Sequence, residues 1–222
     1  MRTDSSPLGQ HPQDLPAGVA AYTAAGLGIV AVAALGAMYA VEVPRGGPYI
    51  FGGINDFTGG LFFLAAIPPI IQVHRRLGDG PWSRTALAAT AAGSVAAAAS
   101  GILISFHMIP FGPSTAVSMV GIIGQALWAA VANHKLANRP RYPRRLAQWG
   151  RAIGLGMLVA LPIVGAGYAA GTVPALQTVL YAVGGAIGGA AYLGWPLWLL
   201  AVGRRLAGRT EGARRRPAAR PA

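Results

Sequence analysis

AGVAAYTAAGLGIVAVAALGAMYAV, residues 17–41, decides the fold. The run carries no charge from end to end, and a bilayer core about 30 Å thick needs roughly 20 apolar residues to be crossed as a helix. It is too long for the apolar core of a signal peptide and follows Asp4 and Asp14 rather than a basic segment, so it reads as a retained helix.

Five further stretches have the same character: 57–73, 85–106, 114–133, 152–170 and 175–202. The third is almost all Ala, Thr, Ser and Gly over 86–100 and gains its hydropathy from Gly101-Ile102-Leu103-Ile104. The expected fold is therefore all-α: a polytopic membrane bundle of six transmembrane helices over 17–203. Residues 1–16 read as a disordered lead-in and 204–222 as a basic disordered tail.

Composition agrees. Charged residues make up 11% of the 222, against about 25% in a soluble domain, too few to coat a soluble surface. The net charge of +12 does not point to nucleic acid, because the arginines sit in short segments between apolar runs without interleaved aromatics. With no cysteine there is no disulfide, thiol redox centre or Cys-ligated metal. Zinc-ligand spacings, phosphate-binding loops and dinucleotide fingerprints are missing as well. His74 and His134 could be weighed as haem ligands, but each is followed by a cation, Arg75 or Lys135, and reads as helix flank. No metal or cofactor is expected.

Lys and Arg near helix ends are retained on the cytoplasmic side. Of the 18, only Arg45 falls in the connections after the first, third and fifth helices, which leaves 17 on the other side. The expectation is a multi-pass protein of the cell (inner) membrane with both termini cytoplasmic. Its basic loops and tail would meet anionic lipid at about 1 kcal/mol per residue near the surface.

Two kinds of residue stand out inside this frame. Gly184 with Gly188 and Gly185 with Gly189 form overlapping small-xxx-small pairs on the sixth helix, a spacing that lets backbones approach; they are assigned to helix packing, with a homo-oligomer or membrane-partner face as the alternative. The middles of all six runs lack Asp, Glu, Lys, Arg and His, which weighs against ion-coupled transport. Ionisable side chains gather instead at the outer interface, where Glu42, Asp56 and His107 reach similar depth, with Arg45 and Asn55 nearby in sequence. Two carboxylates and an imidazole at a half-dry boundary could hold a small or lipid-like molecule, or do acid/base chemistry on a lipidic substrate. The plainer reading makes Asn55 and Asp56 an N-cap and His107 a solvated boundary residue. Binding at the outer mouth is the leading expectation. An enzyme, an accessory or assembly subunit, and a small transporter using Gln125 and Tyr181 are its rivals.

Overall fold

The computed structural model describes Leu8, residues 11–78 and residues 80–214, without the side chains of 209–214. The disorder expected of 1–7 and 215–222 lies outside the described residues. Six helices account for nearly all of the rest: α1 (Asp14–Ala37), α2 (Ile50–His74), α3 (Pro81–Ser105), α4 (Phe111–Leu136), α5 (Arg144–Ala169) and α6 (Pro174–Arg214). α1 continues through a wide turn, Met38–Glu42, and a tight one, Val43–Arg45. All six are long and apolar enough to cross a membrane, and the chain is a multi-pass helical membrane protein.

The helices outrun their apolar cores. α1 begins at Asp14, inside the segment read as lead-in, because the Asp14 carboxylate is fully buried against Arg76. α6 passes Arg204 and stays helical to Arg214, so the tail expected from 204 is helical as far as it is described. The cause is packing: Leu206 is fully buried, and Ala207 lies against Gly18 of α1.

Each helix packs on the next, and α6 returns to α1, closing a ring. Gly18 faces Gly203 and Ala207, while Gly28 faces Pro196. α1 and α6 are therefore antiparallel, and the start of one meets the finish of the other at what is called here the terminal end.

The side chains are distributed inside out relative to a soluble protein. On α1 the buried residues are Ala17, Gly18, Ala21, Ala24, Ala25, Gly28, Ala31 and Ala34, whereas Val19, Ile29 and Val30 face outward. α4 buries Ser114, Gly121, Gln125 and Asn133 and exposes Val120, Leu127 and Val131. Lipid tails are as apolar as leucine, so association rests on close backbone approach and interhelical hydrogen bonds. Both are present. A Cβ on Gly101 would stand 2.6 Å from the Asp56 carbonyl oxygen, and one on Gly154 would stand 2.5 Å from that of Ala126. Between α3 and α4, the Ser100 and Ser114 hydroxyls pair at 2.9 Å, and Gln125 Nε2 donates to Ser94 Oγ at 2.9 Å.

The large buried side chains gather toward the terminal end, where Trp128, Trp198, Leu136, Leu199, Val202 and Leu206 form one cluster. The first half of α6, by contrast, is mostly exposed. Large side chains fill the ring at the terminal end, and close approach of glycines and hydroxyls joins neighbouring helices toward the other.

Candidate functional site

At the far end the expected cluster separates into helix ends and a remainder. Glu42 is buried, and its carboxylate accepts the Phe51 N–H at 2.9 and 3.1 Å and the Gly52 N–H at 3.3 Å. A negative charge thus sits on the unsatisfied first turn of α2, where the helix dipole favours it. With that cap in place α2 starts at Ile50, and Asn55 and Asp56 fall within the helix rather than at its N-cap. Asn55 Nδ2 donates to Asp56 Oδ1 at 3.3 Å. His107 has φ +57° and is exposed. Its N–H donates to Ile104 O, and the next, of Met108, to Leu103 O, a Schellman C-cap with histidine where glycine is usual. Arg45 is exposed. Among the described residues no hydrogen bond or ion pair joins Glu42, Asp56 and His107.

The glycine rows also divide. Cβ atoms on Gly184 and Gly188 would stand 2.7 Å from Val164 and 3.0 Å from Ala160 of α5, whereas Gly185 and Gly189 have nothing within 4 Å. The first pair packs α6 on α5. The second, a step of 100° around the helix, meets no other helix among the described residues.

Inside the ring lies a narrow crevice of about 400 Å³ of atom-free space, counted out to its open side. Its lining includes Gly28 of α1, Phe62 of α2, Gln125 of α4, Met157 of α5, and Tyr192 and Trp195 of α6. Each is near the middle of its helix, so the crevice sits at mid-depth. Two backbone or side-chain groups there lack ordinary partners. Trp195 is 2% exposed, and its indole N–H has no acceptor among the described residues. Pro196 has no N–H to give the Tyr192 carbonyl four residues earlier, so that carbonyl loses its helical bond.

The densest polar network is at the terminal end, where His74 reads in sequence as helix flank and Gln13 and Asp14 as part of the lead-in. Arg76 Nη2 donates to both oxygens of Asp14 at 2.8 Å, and Arg76 Nη1 to Gln72 Oε1 at 3.1 Å. Gln13 Oε1 accepts from Gln72 Nε2 and from Arg75. His74 receives the Trp128 indole N–H on Nδ1 at 3.1 Å and lies 2.8 Å from Ser83 Oγ through Nε2. Indole nitrogen only donates, so Nδ1 is the bare nitrogen and Nε2 carries the proton. A serine–histidine nucleophile needs Nε2 to accept from the hydroxyl; here it donates, and the pair is not a catalytic dyad.

No family model, no curated protein and no solved structure matches the chain. The signal that could have revealed the terminal network was Asp14 itself. A carboxylate one turn before an apolar run, opposite a loop rich in Arg, calls for a partner.

Proposed function

We propose that the protein works in the cell (inner) membrane with its terminal end in the cytoplasm, and that it binds a lipid-like molecule in the mid-bundle crevice. The orientation is supported by the 17 basic residues on one side of the six crossings. The binding reading is carried by the Trp195 N–H, a buried donor without an acceptor beside open apolar space. Such a donor costs free energy unless something accepts from it, and sites for small molecules are apolar slots with few converging polar groups. This moves the site inward from the outer mouth, since Glu42 and His107 serve helix ends.

The test is native mass spectrometry and lipid extraction of the full chain purified in mild detergent. A stoichiometric apolar ligand is expected, retained less by Trp195→Phe and lost in Val32→Phe, which fills the lining. Retention unchanged in Val32→Phe, or no ligand in wild type, would remove the reading.

A further inference from the structure

No residue lining the mid-bundle crevice carries a charge. Phe62, Gln125 and Met157, which wall it from three helices, stand eleven or more residues from both ends of those helices, about 16 Å at 1.5 Å per residue. An ionised group held there would sit at bilayer depth with no counter-charge in the lining, an expensive placement. The part of a ligand that enters is therefore uncharged.

The hydrogen-bonding groups of the lining narrow the chemistry further. Ser94 Oγ, buried between α3 and α4, gives its single proton to the Thr90 carbonyl at 2.8 Å, so toward Gln125 it can only accept. Gln125 Nε2 supplies that bond at 2.9 Å. The amide is thereby oriented: Nε2 is turned to α3, and Oε1 accepts no hydrogen bond among the described residues. On α6 the Trp195 indole N–H is buried with no acceptor among the described residues, and an indole nitrogen only donates. The Tyr192 hydroxyl of the same helix takes either role. The crevice thus presents one unmet acceptor from α4 and one unmet donor from α6.

Resting on the reading that a lipid-like molecule occupies this crevice, we infer that the molecule is an uncharged lipid alcohol, a long hydrocarbon whose hydroxyl accepts from the Trp195 N–H and donates to Gln125 Oε1. A ketone, ester or ether oxygen takes the indole proton but leaves Gln125 Oε1 buried and unmet, which costs free energy. A carboxylate or phosphate does the same and adds a charge that nothing in the lining offsets. A hydroxyl is the smallest group that serves both, and the narrowness of the crevice favours a straight chain over a fused ring system.

The experiment measures binding of tritiated hexadecanol to the full chain in nonionic detergent, with competitors scaled to their mole fraction in the micelle. Hexadecyl methyl ether keeps the accepting oxygen and loses the donated proton, and it is expected to compete about tenfold more weakly than hexadecanol, the scale of one buried group left unmet. Ionised hexadecanoate should compete at least as weakly as the ether. Gln125→Met, similar in length and without the acceptor, should bring the alcohol-to-ether ratio to within about twofold of one. Ser94→Ala releases the amide to turn Nε2 into the crevice and should lower the ratio about threefold, which keeps the test alive if Gln125→Met does not fold. Trp195→Phe should weaken alcohol and ether by similar factors and leave their ratio unchanged, since both accept from the indole. Alcohol and ether bound equally by the wild type, with both excluded by Val32→Phe, would overturn the alcohol while leaving a lipid-like occupant; neither compound bound would remove both readings. Hexadecanoate competing as well as the alcohol, or a ratio unmoved by both Gln125→Met and Ser94→Ala, would likewise overturn the inference.

Discussion

Glu42 shows how a residue that looks chemical can be structural. In sequence it is a carboxylate at a membrane boundary. In the fold its oxygens take the first N–H groups of α2 across a loop, which sets where α2 begins. Glu42→Ala is expected to destabilise the protein by about 1–2 kcal/mol, the usual cost of a lost cap with its dipole contribution. An unchanged melting curve in detergent would refute that role. His107 makes the opposite case. Its left-handed backbone, φ +57°, costs a non-glycine residue about 1–2 kcal/mol, so His107→Gly should hold or raise stability while leaving any bound ligand in place; a loss of ligand would restore His107 to the site. Neither role was legible beforehand, because a capping partner nine residues away and a left-handed dihedral leave no periodic trace. Tyr142 is another such residue: its hydroxyl is buried without a partner among the described residues, and burial pushes its pKa above the ordinary tyrosine range.

Helices were the most legible level, since six runs of sufficient hydropathy can do little else in a bilayer. Their ends were not. Hydropathy marks where lipid stops, whereas α5 starts at Arg144, with Leu146 and Ala147 of its first turn buried, and α6 continues past Arg204, with Leu206 buried. Glycine spacing was half legible for a related reason. A four-residue period identifies a row but not the neighbour, and of two rows on α6 one meets α5 and the other meets nothing among the described residues. The closest approaches to neighbouring backbone involve Gly101 and Gly154. The spacing of Gly150 and Gly154 is visible in the sequence, whereas Gly101 has no glycine four residues to either side. Gly154→Ala places a carbon against α4 backbone and should cost roughly 1–3 kcal/mol, as overpacking does. Gly185→Ala should stay within about 0.5 kcal/mol, as a surface change does. Thermal unfolding of the two variants in one detergent decides it, and equal losses would mean that α4 and α5 do not meet as described.

A closed ring of six helices ties the two ends of the chain together, and that makes its orientation testable at one stroke. The sequence has no cysteine, so single cysteines report without background. Met108 and Val173 are exposed in the α3–α4 and α5–α6 connections at the far end, and Asn138 is exposed in the α4–α5 connection at the terminal end. Exactly one helix separates each neighbouring pair of these positions along the chain. A membrane-impermeant maleimide applied to intact cells is expected to label Met108→Cys and Val173→Cys, and to reach Asn138→Cys only after permeabilisation. If α4 or α5 failed to cross, two neighbouring positions would label alike, and the six-span ring would be wrong. If all three labelled in the reverse sense, the ring would stand but its 17 basic residues would face outward against the positive-inside rule. The labelling pattern therefore tests separately whether α4 and α5 cross and in which direction they do so.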